Sequence, residues 1–259
     1  MRIALGIEYH GHHFFGWQVQ QNLLTVQGCL EKALSQVADE PIKLFCAGRT
    51  DTGVHAYGQV AHFDTNAVRS LRAWVLGVNT YLPNEIAVKW AKEVDGQFHA
   101  RFSALSRCYR YVIYNDATRS ALFAKHTTWY RYSLNIEWMH KAGEYLLGEQ
   151  DFSSFRSAEC ESKSSMRHVE FMNVTRQGDF VILEIQANAF LHHMVRNIAG
   201  VLLCIGSGLR QPEWMQEILQ AKDRTQAAET ASPTGLYLYK VNYPEEYCFP
   251  ENNRFCYFF

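Results

Sequence analysis

Hydrophobic residues alternate at Ile3, Leu5, Ile7 and Tyr9, the pattern of a half-buried strand. They then recur at helical spacing through Val26, Cys29, Leu30, Ala33, Leu34 and Val37, behind Thr25 as a helix cap. Short strands are predicted at Ile42 to Cys46 and Val60 to Asp64, a helix from Leu71 to Leu82 stopped by Pro83, and a further strand from Ile86 to Trp90. The first half therefore spells βαββαβ. After a connector near residues 95–106, Tyr109, Tyr111 and Ile113 share a strand face, and a helix from Trp138 to Leu147 closes at Gly148. Val169 to Thr175 and Val181 to Ala187 flank the turn Arg176-Gln177-Gly178-Asp179 as a hairpin. Leu191, Met194, Val195, Ile198 and Leu202 follow at helical spacing, then a short helix from Pro212 to Ala221 and a strand from Leu236 to Tyr243. The second half repeats βαββαβ with one insertion.

Two tandem units of this kind predict an α+β fold whose halves resemble the ferredoxin-like split βαβ, an arrangement also used by RNA-recognition modules. The expected division is 1–106 and 107–259, with no Pro, Gly or Ser-rich linker between and one largely antiparallel sheet shared, flanked by helices. The stretch from Tyr247 to Phe259 crowds aromatics and two cysteines without a period, and reads either as a packed tail or as an interface.

Composition narrows the class. At 259 residues, 47% hydrophobic and 20% charged, the chain can bury a sizeable core. Seven cysteines without a CxxC spacing, and an N-terminus that reaches Glu8 too soon for a secretory signal, predict a reduced, cytoplasmic setting. The longest apolar run, Ile198 to Ile205, is far short of a bilayer span. The net charge of −1 by itself argues against nucleic acid, but it is an average. Gln97 to Tyr132 holds six basic residues (Arg101, Arg107, Arg110, Arg119, Lys125, Arg131) and one acid, Asp116, whereas Ser133 to Glu161 holds two basic residues and six acids. The first segment suits phosphates; the second is expected to face away from them.

Three local signals carry candidate chemistry. Gly48-Arg49-Thr50-Asp51-Thr52-Gly53-Val54-His55-Ala56 sets an ionisable pair between two glycines, so that a turn can hold the Asp51 carboxylate at a defined point with Arg49 favouring its charged form. A positioned carboxylate serves as nucleophile or base; the same residues also describe a turn in which Asp51 bonds backbone amides. Arg107-Cys108-Tyr109-Arg110-Tyr111 puts tyrosines on one strand face and Arg110 on the other, which suits base stacking or core packing. Phe190 to Asn197 opens a helix on which His192 and Arg196 are four apart, and Arg196 suits an anion there or a solvated face. Neither His10, His12 and His13 nor His192 and His193 show a zinc spacing, so no metal is expected.

Taken together, these residues resemble the bacterial tRNA pseudouridine synthase A family. The 48–56 segment is similar to its GRTDAGVHA signature, with Thr52 for Ala, and Tyr9-His10-Gly11, Gly16-Trp17-Gln18, Arg107 to Tyr111, Phe190 to Asn197 and Gly235-Leu236-Tyr237-Leu238 follow in the family's order. His192 stands where the family often has Tyr, and nothing after Pro250 maps onto a motif. The resemblance implies a pseudouridine synthase fold and conversion of uridine to pseudouridine at positions 38, 39 and 40 of the anticodon arm of tRNA. It further implies a cytoplasmic homodimer that embraces one tRNA and needs neither cofactor nor metal. Its implied site residues are Asp51 as nucleophile, Arg49 as its electrostatic partner, and Tyr109 stacking on the flipped base and assisting proton removal at C5. Leu236 would pack against the uracil, and Arg196 would lie near Asp51 or a phosphate. The competing expectations are an RNA-binding protein without chemistry and a metal-dependent RNA hydrolase using the histidine clusters.

Overall fold

The first alternation produces strand β1 (Arg2–Tyr9), which is antiparallel both to β3 (His55–Asp64) and to β4 (Ile86–Val94). The computed structural model describes residues 1–250, and these cluster into two units: Met1–Leu105 with the segment beginning at Tyr237, and Ser106–Leu236. In the first unit, helix α1 (Val26–Ala38) starts where the sequence predicts, with the Thr25 hydroxyl accepting from the Gly28 N–H at 3.3 Å. Such a cap is worth about 1 kcal/mol. Leu30 and Leu34 on its apolar stripe are fully buried, each contributing roughly 1.5–3 kcal/mol by leaving water. Strand β2 (Phe45–Cys46) is shorter than expected and pairs with β3 at His62 and Ala61. The helix expected over Leu71 to Leu82 is shorter and takes a π-helical course at Ala73–Gly77, which sinks Trp74 edge-on against Phe63 at 5.1 Å.

In the second unit, β5 (Ser106–Asn115) pairs antiparallel with β9 (Phe180–Ala187), β9 with β8 (Met166–Gln177), and β8 with β7 (Gly148–Asp151). A short strand, β6 (Thr128–Tyr130), runs parallel to β5. Helix α2 (Ile136–Glu144), capped by Asn135, packs on β8 and α3 (Met194–Gly206), and α4 (Trp214–Ala221) joins them. Val195, Ile198, Val201, Leu202 and Ile205 of α3 are all buried. The predicted hairpin is present, turning at Gly178 with φ +57°.

The closing strand β10 (Leu236–Asn242) belongs from Tyr237 onward to the first unit, where it pairs in parallel with β3 through Tyr237 and His55 and through Leu238 and Ala56. The division expected at 106/107 keeps this strand with the second half. β3 therefore begins five residues before Val60. Gly58 marks the reason, since a Cβ there would lie 2.3 Å from the Tyr239 carbonyl oxygen. Beyond β10, Tyr247 and Phe249 pack on Phe98 at 4.9 and 5.4 Å, Phe249 stacks on Trp90 at 5.0 Å, and Lys92 Nζ donates to the Tyr247 carbonyl at 2.6 Å. To residue 250 the aromatic tail is a packed element; residues 251–259 lie outside the described ones. The expected α+β class, with mostly antiparallel sheets flanked by helices, is borne out. The six described cysteines form no disulfide with one another, and no helix among the described residues is long and apolar enough to cross a membrane.

Candidate active site

Asp51 sits between β2 and β3 in a loop whose backbone is tied down at three points. At its start, the side-chain amide of Gln59, fully buried in β3, donates to the Gly48 carbonyl at 2.7 Å and accepts from the Val60 N–H at 3.2 Å. In its middle, the buried Thr50 hydroxyl bonds the Tyr9 hydroxyl at 2.7 Å, and the Thr50 carbonyl accepts from the Trp17 N–H at 3.0 Å. At its end, Val54 N–H donates to the Asp51 carbonyl at 3.1 Å, a turn made with Gly53 at φ +80°. His55 Nδ1 then accepts from the Gly11 N–H at 3.0 Å, so its proton lies on Nε2 when the ring is neutral. Thr50 is buried and its neighbours are more accessible: Arg49 is exposed and Asp51 half-buried.

The two short motifs near the N-terminus owe their glycines to this loop. A Cβ on Gly11 would lie 1.9 Å from the Val54 carbonyl oxygen, and one on Gly16 would lie 2.8 Å from that of Thr50. Gly16 also has φ +80°, a region that side chains with a Cβ avoid. Nearby, the His55 ring stacks on Tyr237 at 4.7 Å and borders a cleft of about 250 Å³ that also meets Glu8, His10, Tyr57 and Glu85. Two carboxylates make that cleft a poor seat for RNA phosphates.

Tyr109, Arg196 and Leu236 lie in the second unit. On β5, Tyr109 opposes Ile185 and Tyr111 opposes Leu183, two residues apart on one face. Of the two readings of that face, Tyr111 takes core packing. It is fully buried, its hydroxyl bonds Thr128 Oγ1 at 2.6 Å and donates to the Ser232 carbonyl at 2.9 Å, and burial pushes its phenol well above the usual range. Tyr109, 8% exposed, meets Phe190 edge-to-face at 4.9 Å. Arg110 on the opposite face pairs with Glu184 at 2.5 Å and is thereby largely withdrawn from phosphate binding. The Tyr111 contact has a further effect, because Ser232 caps the 3₁₀ turn Pro233–Gly235 that delivers the buried Leu236 to the start of β10.

Arg196 lies in the first turn of α3, half-buried, and its Nε donates to the Ala231 carbonyl at 2.8 Å while Ala231 N–H returns a bond to the Arg196 carbonyl at 3.2 Å. The helix begins after His193, which has φ +63°, so His192 precedes the helix and the expected shared face of His192 and Arg196 is not formed. Asn197 beside it is fully buried, donating to the Phe155 carbonyl at 2.8 Å and accepting from Thr230 at 2.7 Å. Of the residues that hold the site, Tyr111 and Asn197 fall inside segments that the sequence singles out, whereas Gln59 does not. For Gln59, the signal available was an amide directly before the apolar run Val60-Ala61.

Comparison with known proteins decides the family. A family model described as tRNA pseudouridine synthase matches residues 6–103 and 142–244. The chain belongs to the tRNA pseudouridine synthase family. The chain is 60% identical over 251 residues to "tRNA pseudouridine synthase A" of Shewanella sp. (strain W3-18-1), covering 97% of this chain and 96% of that protein. It is 57% identical over 252 residues to the protein of the same name from Histophilus somni (strain 2336), covering 97% and 94%. Within the tRNA pseudouridine synthase match fall Arg49, Asp51, Arg196 and Leu236, whereas Tyr109 lies between its two segments.

Proposed function

We propose that this protein converts uridine to pseudouridine at positions 38, 39 and 40 of the tRNA anticodon arm, in the cytoplasm, as a homodimer and without metal or organic cofactor. The observation that carries the reading is the Asp51 loop: in a chain of this family, a half-buried carboxylate is carried on a backbone held at Gly48, Thr50 and Val54. A group held in this way needs little reorganisation before it reacts. A carboxylate also repels phosphate, so it serves chemistry better than RNA binding.

In this reading the target nucleotide leaves its stack, at a cost of a few kcal/mol, and enters a closed pocket. Asp51 is the nucleophile, and Arg49 supplies positive charge in the same loop. The N1–C1′ bond breaks, the uracil turns, the C5–C1′ bond forms, and the C5 proton leaves with help from Tyr109, which stacks on the base. Leu236 is an apolar wall that keeps the detached uracil from escaping, and Arg196 holds a phosphate or faces Asp51. Attack at C6 of the base and attack at C1′ of the ribose call for the same side chain.

Tritium release from tRNA labelled at C5 of uridine measures the reaction. Wild-type protein should release it in EDTA without strand cleavage, and Asp51→Asn should reduce release to background while binding tRNA nearly as well. Release by Asp51→Asn near the wild-type rate would remove Asp51 from the chemistry. A modification map in which pseudouridine persists at positions 38, 39 and 40 without the protein would reject the substrate.

A further inference from the structure

The segment between β1 and α1 exposes four large apolar side chains: Phe15 (47%), Val19 (47%), Leu23 (40%) and Leu24 (53%). Its backbone is nevertheless fixed. Phe15 N–H donates to the Leu24 carbonyl at 2.9 Å, Val26 N–H to that of Gly16 at 3.2 Å, and Gln27 N–H to that of Trp17 at 3.0 Å. The first of these bonds closes the loop and sets Phe15 beside Leu24. The loop is also locked to the Asp51 loop, because Trp17 N–H bonds the Thr50 carbonyl, and a Cβ on Gly16 would meet the backbone of Thr50, Asp51 and Thr52. Phe15 is thus two residues from the hydrogen bond that holds the candidate nucleophile's loop.

Charge says what kind of surface this is. No Asp, Glu, Lys or Arg occurs between Glu8 and Glu31, while Gln18, Gln20, Gln21 and Asn22 are exposed amides. Such a surface does not repel a polyanion and offers its phosphates no fixed positive charge. It suits the faces and edges of bases. A nucleotide that leaves a stack opens a gap, and apolar side chains are the groups that proteins insert between bases.

We infer that this loop is a wedge for the RNA strand: Phe15 and Leu24 enter the space that the target nucleotide vacates and touch the bases on either side of it. The inference rests on the proposed reaction, and deepens it by naming residues that hold the flipped state. The test uses the full chain with an anticodon stem-loop carrying 2-aminopurine next to the target uridine. Binding of wild-type protein should raise the fluorescence as the neighbouring base loses its partner. Phe15→Ala with Leu24→Ala should lose most of that rise and lower the single-turnover rate of tritium release at least tenfold, and Phe15→Leu should recover much of both. Because the side chains are exposed and uncharged, melting temperature and the salt dependence of binding should match wild type. Rates within twofold of wild type, with the fluorescence rise intact, would overturn the inference. So would a changed sedimentation coefficient with an unchanged rate, which would make the patch a contact between copies. If wild-type protein releases no tritium yet gives a fluorescence rise that the double variant loses, the proposed reaction falls and the wedge stands.

Discussion

Acidification should weaken the strand that carries the Asp51 loop, through one buried histidine. His62 of β3 is 2% exposed, stacked on Phe45 at 5.2 Å, 4.6 Å from His99, and its Nδ1 accepts the Ala100 N–H at 3.2 Å. Burial above all, then the nearby His99 and Arg2, hold its pKa down to about 4, with Asp64 pulling weakly the other way. A proton on Nδ1 would also abolish the bond from Ala100. In the unfolded chain the ring titrates at about 6.5. The folded state therefore binds fewer protons between these two values. Stability is complete above pH 6.5, falls as pH drops, and stops falling from this source below about pH 4. The two pKa values give a loss of about 2 kcal/mol by pH 5 and at most about 3 kcal/mol in all, less where water at the ring edge screens the charge. Urea unfolding at pH 7.5 and pH 5.0, compared for wild type and His62→Asn, isolates the effect, because Asn keeps an acceptor near Nδ1 but does not titrate. The variant should lose about 2 kcal/mol less than wild type between the two pH values. Equal losses would refute the reasoning.

Gly16→Ala forces a Cβ to within 2.8 Å of the Thr50 carbonyl at a positive φ, so tritium release should fall more than about tenfold while tRNA affinity holds. Gly96→Ala, where nothing lies within 4 Å, is the control, and equal behaviour of the two would count against the Gly16 argument. Tyr111→Phe leaves the Ser232 carbonyl and Thr128 short of a partner and should cost about 1–3 kcal/mol in urea unfolding; an unchanged midpoint would contradict it. With Arg110 paired to Glu184, four residues of the basic segment stay exposed: Arg101, Arg119, Lys125 and Arg131. Binding of tRNA should then fall with salt at a log–log slope of about −3 to −4 despite the net charge of −1, and a flat dependence would exclude this segment as the phosphate contact.

Elements with a period were legible in the sequence, and elements held by distant partners were not. Thr25 and the stripe through Leu30 and Leu34 announce α1 because cap and burial are local. β6 and β7 have three and four residues with no apolar alternation, and exist only because β5 and β8 supply backbone partners. The start of β3 was hidden by Gly58, whose lack of a side chain reads as a break until Tyr239 is seen lying against it. α3 begins late because His193 adopts a left-handed conformation that periodicity cannot register. The Asp51 segment stood out by its local chemistry. Its supports did not, since Gln59 reaches back 11 residues and Tyr9 forward 41, and neither partner can be known before the chain is folded.

The return of the last strand to the first unit also sets a schedule for synthesis. The Asp51 loop leaves the ribosome first, but β3 meets Tyr237 and Leu238 only after all the residues between them have been made. At about 5–20 residues per second, the roughly 130 residues between Leu105 and Tyr237 take on the order of 7–30 s. Throughout that interval the residues 55–56 end of β3 has one neighbour instead of two, and His55 waits for the ring it stacks on. A nascent chain halted before residue 237 should accordingly be cut by protease near residue 55, and the released full-length chain should resist.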